Sequence, residues 1–461
     1  MVGLLALTLE LYETLAPELR QDRENWVKRE VLPALGEKAE VLFERAVFRG
    51  SDIEAAIAGF EAAGADAVVV LLLSYSPSQV SLPALQRARL PIVIWNTQEL
   101  LAVDQRYGPI ELRNNHGVHG TQDLANVLLR AGIRFHYVTS HLKDANALDE
   151  LNDFFAAAAA VRRLRGAKIG MLGYPFPGMG DFAVDATQML ATLGCSWAVL
   201  TVEDYIKRAA AADAGAVAEL VTEYRARYAV AEGVTGQDLE ATARVELALR
   251  GMQADHGLAA LTYQFLAFGD DERTPTVPFV AASRLMAEGI GFGGEGDLVA
   301  AAATSFLNWL NPPASFSEIF TMDFGGNSVL MSHMGEANAA MARRDRKIPL
   351  VARPTPITRT RDRQLALVTS FEPGPATFAA LAIGPGGKWR MIVSAVTVED
   401  FGPLASLCVP HFKIKPAGDV RRFLTDYAKA GGPHHNMVCF GDARRRLRLA
   451  AGLLKAEYVE I

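Results

Sequence analysis

Cysteine is scarce: Cys195, Cys408 and Cys439 are the only three in 461 residues, far apart and without paired spacing. That excludes a disulfide framework and a cysteine zinc site, and it fits a reducing compartment. A surplus of positive charge is also missing. With 46 Lys and Arg against 52 Asp and Glu, the formal net charge is -6, which leaves no basic footprint for nucleic acid. Long apolar runs are lacking too, since Ala67–Leu73, the longest near the start, is far too short to cross a bilayer. The apolar stretch Met1–Leu9 is followed at once by Glu10, with no basic region and no small-residue cleavage signal. It therefore reads as a first strand, and the chain as cytoplasmic.

What is present is an ordinary folding composition, 50% hydrophobic and 21% charged, in a chain too long for one core. Three domains are expected, 1–162, 163–311 and 312–461. In the first, the apolar runs Leu4–Leu11, Ala67–Leu73, Pro91–Trp95 and Phe135–Val138 read as buried parallel strands. The segments Ala16–Arg45, Ile53–Ala63 and Thr121–Ala131 read as the helices between them, the βαβ signature of a doubly wound sheet. A second such series starts after the basic hinge Arg162–Gly166, with strands Lys168–Gly173, Trp197–Val202 and Ala259–Phe265. The run Val202–Asp255 reads as helical, broken once near Gly233–Gly236. At Asn311-Pro-Pro313 adjacent prolines forbid a continuing helix. Beyond them Ser328–His333, Leu365–Phe371, Thr377–Ile383, Trp389–Val398 and His411–Lys415 predict an antiparallel, barrel-like domain, closed by helices over Ala417–Lys429 and Ala443–Lys455.

Chemistry concentrates in a few stretches. Gly291-Phe-Gly-Gly-Glu295-Gly-Asp297 sets a carboxylate among glycines, whose missing Cβ lets backbone and ligand approach closely. The same stretch also reads as a turn in which Glu295 or Asp297 caps the helix from Leu298. Ser332-His-Met-Gly-Glu336 places a glutamate at a strand end, Gly431-Gly-Pro-His-His435 places adjacent imidazoles after a glycine turn, and Asn115-His-Gly-Val-His-Gly120 is a polar loop opening a helix. Five of the nine histidines fall in these three stretches. Imidazoles with carboxylates make an N/O donor set suited to Mn²⁺, Co²⁺ or another divalent metal. Ser74–Pro77 and Asn96-Thr-Gln98 follow two predicted strands, where open parallel sheets gather ligands. Turn chemistry accounts for them equally well.

Taken in order, these motifs resemble the L-arabinose isomerase and L-fucose isomerase superfamily, closer to the arabinose branch, over nearly the whole chain. The resemblance implies two α/β domains and a β-rich third, and a divalent-metal-dependent aldose–ketose isomerase working on a small sugar through an enediol. It implies Glu295 and Glu336 as catalytic carboxylates that also bind metal, Mn²⁺ before Co²⁺, with His435 as the imidazole ligand. His119, Tyr75, Gln98, Arg353 and His434 are then substrate-binding residues. It further implies a homo-oligomer, trimer or hexamer, whose active sites take residues from neighbouring subunits.

One departure stands out. The family's further histidine ligand is expected after the strand bearing the second glutamate, yet no histidine occurs between His333 and His411, and Arg353 or Thr355 falls near that place. A guanidinium stays protonated and is a poor ligand. Two alternatives therefore stay open, a same-fold epimerase or lyase acting on a sugar acid or sugar phosphate, and a non-catalytic sugar-binding homologue.

Overall fold

The computed structural model describes every residue except Asp270. The chain divides into two compact units, Met1–Ala159 and Ala160–Ile461.

In the first unit β1 (Val2–Leu7), β2 (Val41–Leu42), β3 (Ala67–Leu72), β4 (Ile92–Asn96) and β5 (Phe135–Thr139) form one sheet in the order β2-β1-β3-β4-β5, every pair parallel. β1 and β3 are buried at every position, because helices cover both faces and leave no side for polar residues. The expected helix over Ala16–Arg45 is shorter and interrupted. Glu18–Trp26 passes through a π-turn at Val27–Val31 into Leu32–Gly36, and β2 follows. Pro33 has no N–H to donate back into the preceding turn, which accounts for the widened turn before it.

The second unit begins with another parallel sheet. β6 (Lys168–Leu172), β7 (Ser196–Leu200), a two-residue β8 (Ala229–Val230), β9 (Ala260–Tyr263) and β10 (Gly291–Gly293) follow in chain order, and the sheet runs β10-β9-β6-β7. The strand order reverses between β6 and β9, the kind of crevice in which ligands sit in open parallel sheets. The run expected to be helical from Val202 is broken twice. Asp213 accepts a hydrogen bond from the Ala216 N–H at 2.9 Å and so starts a new helix, Ala214–Arg227. β8 then precedes the helix Gly236–His256.

The remaining strands are β11 (Ala314–Asp323), β12 (Ser328–Ser332), β13 (Pro349–Ala352), β14 (Leu365–Leu367), β15 (Gly374–Ile383), β16 (Trp389–Val398), β17 (His411–Pro416), β18 (His435–Phe440) and β19 (Glu457–Glu460). Of these β15, β18, β11, β12, β17 and β16 pair antiparallel in a closed ring, with β19 added parallel to β16. Val329, Met331, Phe378, Ile392, Phe412 and Val438 lie in its core. β14, expected in the barrel, instead pairs with β13, which pairs with β8. No helix among the described residues is long and apolar enough to cross a membrane.

Candidate active site

Four strands bring the acidic and imidazole groups of the second unit together. β10 runs on into Glu295, β11 carries Glu318, β12 ends beside His333, and β18 starts at His435. Register explains the meeting. Glu318 lies opposite Ser332 on one side and opposite His435 on the other, and directly opposed residues of an antiparallel pair share a face. Phe316, two positions before Glu318, stands edge-on to both His333 (4.7 Å between ring centroids) and His435 (5.0 Å) and forms an apolar floor between them.

Glu295 sits in left-handed backbone, φ 59°, with Gly296 at φ 86° after it. A non-glycine residue there costs on the order of 1–3 kcal/mol and persists where the surroundings impose it, which is common at functional sites. Its neighbours must be glycine for lack of room: a Cβ on Gly294 would lie 2.7 Å from His333 Nε2, and one on Gly296 2.5 Å from the Cα of Pro175. The two sequence readings of this stretch separate cleanly. Asp297 is the cap, accepting the Ala300 N–H at 2.8 Å, and Glu295 faces the imidazoles.

Each histidine is braced by an acid. His435 Nδ1 is 2.9 Å from Asp297 Oδ2, and His434 Nδ1 is 2.6 Å from Asp181 Oδ2, which also accepts the His434 backbone N–H. Both Nε2 atoms are buried without a hydrogen-bond partner, and each lies 3.7 Å from Glu295 Oε2, beyond hydrogen-bond reach. The ring of Phe182 stacks on His435 at 5.5 Å. His333 Nδ1 is 2.7 Å from Glu336 Oε2, an oxygen that also accepts the Gly335 N–H, while the Tyr263 hydroxyl donates to Oε1. Glu336 thus holds His333 with one oxygen and is itself fixed through the other by Tyr263.

The charges follow from these contacts. The Glu295 carboxylate pushes His434 up to about 9 against the effect of burial, with Asp181 adding to it. Burial works to raise the Glu295 carboxyl, but His434 and the charges of His333 and His435 outweigh it and hold the group below its ordinary value. Burial likewise disfavours charge on His333, and the adjacent Glu336 reverses that and raises it.

Two sets of donors are close enough to share an ion. The ligand atoms of Glu295, His434 and His435 lie within 4.8 Å of one another, and so do those of Glu318, His333 and His435. His435 belongs to both. Acid-braced rings presenting Nε2, together with carboxylates, form the N/O shell that a divalent metal takes, so the residues fit the metal the motifs implied.

The structure therefore brings Glu295, His434 and His435 together and places Glu336 one side chain away, behind His333. Arg353 donates to the Met334 carbonyl and lies over the ring of Phe279, and burial holds its pKa below the usual range. Tyr75, Gln98 and His119 belong to the first unit. There Tyr75 stacks on the exposed His119 ring at 5.0 Å, its hydroxyl 3.4 Å from Asp123, and Gln98 donates to the Leu100 carbonyl. The sequence reading missed Glu318, Asp181 and the bracing role of Asp297. A signal for Glu318 existed: in Ala314-Ser-Phe-Ser-Glu318 it takes the position that alternation assigns to a core-facing apolar residue.

The chain is similar in sequence to known proteins. A family model described as the L-arabinose isomerase central domain matches residues 178–311, and one described as the L-arabinose isomerase C-terminal domain matches 313–457. An L-arabinose isomerase of Nocardioides sp. is 28% identical over 387 residues, covering 80% of this chain and 75% of that one. L-arabinose isomerase 1 of Bacillus licheniformis is 26% identical, covering 81% and 76%. The enzyme of that name from Acidothermus cellulolyticus is 27% identical, covering 87% and 82%. A periplasmic solute binding protein of Actinobacillus succinogenes, solved with D-allose, aligns at a TM-score of 0.15 with 14% identity over 67% of this chain and 90% of that one, too weak a likeness to argue from.

Proposed function

Because this chain belongs to the L-arabinose isomerase family, we propose that it interconverts a small aldose and its ketose with the help of a divalent cation, Mn²⁺ or Co²⁺. Glu295, Glu318, His333 and His435 are the proposed ligands, so that His333 supplies the imidazole sought near Arg353, and Glu318 takes the place first given to Glu336. The observation that carries this reading is the pair of donor sets meeting at His435. When bound, the cation polarises the sugar carbonyl and its neighbouring hydroxyl.

The reaction takes a proton from C2 of the aldose and delivers one to C1, while the C2 hydroxyl proton passes to the former carbonyl oxygen. Glu295, held ionised, is the group to carry the carbon-bound proton. His434, protonated beside it and with Nε2 free of partners, is the proposed group to serve the oxygens. Glu336 then acts through His333 as a positioning residue. His119, Tyr75 and Gln98 are proposed to bind sugar hydroxyls, serving the Glu295 centre of a neighbouring subunit in a trimer-based homo-oligomer.

Metal analysis of the purified protein tests the ligand set. Glu318→Gln is expected to lose stoichiometric Mn²⁺ or Co²⁺, while Glu336→Gln keeps it with affinity lowered by about 10–100-fold, as for outer partners of ligands. The opposite ranking would return the metal position to Glu336, and absence of metal from the unaltered protein would favour a sugar-binding role without catalysis. A panel with L-arabinose, other aldoses and sugar acids checks the substrate class. Gly294→Ala should drive a methyl into His333 and cut turnover by about a hundredfold, since small misplacements at reacting centres are expensive. Unchanged kinetics in that variant would show that His333 has slack.

A further inference from the structure

The second unit holds a cavity of about 680 Å³ that shares no residue with the site above. It is walled by the Met189–Leu193 turn with Gly194 after it, by the β15–β16 connection, and by the end of the helix Arg444–Leu454. Its apolar floor includes Trp389 and Leu454, both buried, and the indole N–H is already bonded to Thr192 Oγ1 at 2.6 Å. Its charged groups are Arg165, Lys388 and Lys455, with no carboxylate in the lining. None of the three makes an ion pair among the described residues, and Arg165 has only a long 3.4 Å hydrogen bond, to the Leu453 carbonyl.

Three exposed cations without an ion pair thus line one concavity, in a chain of net charge -6 whose arginines elsewhere are extensively paired with acids. An anion entering the cavity meets positive charge that no acid of the lining has already neutralised. The volume lies in the range of small-metabolite sites and is larger than inorganic phosphate alone requires. A guanidinium and two ammonium groups on one lining suit a phosphate monoester, and the apolar floor suits the carbon skeleton it is attached to.

We propose that this cavity is a second binding site, for a sugar phosphate or a metabolite of similar size carrying a phosphate monoester. The inference does not depend on the isomerase reading. Calorimetric titration of the full-length protein with glucose 6-phosphate, inorganic phosphate and glucose tests it. Glucose 6-phosphate is expected to bind, glucose not to bind at this site, and inorganic phosphate to bind more weakly. The double variant Lys388→Gln/Lys455→Gln alters two exposed side chains and should weaken glucose 6-phosphate by about tenfold or more through loss of charge-assisted contacts, while sugar turnover stays as it was. Glu295→Gln should leave that binding untouched. Binding that survives in the double variant, binding lost in Glu295→Gln, or no binding up to about 10 mM, a range that includes weak metabolite sites, would each overturn the proposal.

Discussion

Glutamine at position 295 is expected to lower turnover by about a hundredfold to ten-thousandfold, the range for removing a positioned general acid or base. The folded state should hardly change. Gln keeps the size of the side chain and its place in left-handed backbone, and the Glu295 carboxylate lies 3.7 Å from the His434 and His435 Nε2 atoms, beyond hydrogen-bond reach. What disappears is the negative charge. With it goes the main reason for His434 to hold a proton near neutral pH, since Glu295 is the largest influence raising that group to about 9. Steady-state kinetics with a thermal melt separates the two effects, and a variant that retains full activity would remove Glu295 from the reaction. Loss of activity together with a large fall in Tm would instead make it a structural residue.

The largest expected loss of stability lies elsewhere, at Glu246. This fully buried carboxylate accepts from Arg284 Nε at 2.8 Å, Arg250 Nε at 2.8 Å and the Tyr224 hydroxyl at 2.7 Å. Arg284 is itself buried, and Glu223 meets its Nη2 at 3.0 Å, so Glu246→Ala leaves the guanidinium half compensated. Breaking a buried pair by deleting one partner costs about 3–5 kcal/mol, and Glu246→Ala should fall in that range or slightly below because Glu223 remains. Denaturant unfolding measures it. A loss under about 1 kcal/mol, the scale of an exposed pair, would mean that water reaches the network.

Much of the fold is legible along the chain because buried parallel strands are written as uninterrupted apolar runs, as in Ala67–Leu72 and Ile92–Trp95. The elements that escaped are short or mixed in character. β10 is Gly-Phe-Gly and carries no strand propensity; it is a strand because the helix Leu298–Leu310 packs against it closely enough to require the glycines. β18 begins with His-Asn, both buried: His435 enters the site, and the Asn436 amide donates to the His434 carbonyl. The site was legible in the same uneven way. Glycine framing marked Glu295, and adjacency marked His434 and His435. Alternation marks Glu318 as core-facing, but nothing local shows that Glu336 ends up bracing one ring while Glu318 ends up beside two. That distinction is made by strand pairing between residues more than a hundred positions apart, Glu318 opposite His435.

The hoop of six antiparallel strands sets a limit on how this pocket can vary. Glu318 and His435 sit on neighbouring staves of a closed ring, and a stave can slide only by whole rungs. A slide of one rung would turn its side chains to the opposite face. Spacing between the acid and the imidazole is thereby locked in discrete steps, and gradual drift toward a longer or differently configured sugar has to be accommodated by segments outside the hoop, such as the Tyr174–Asp181 stretch that carries the acid bracing His434.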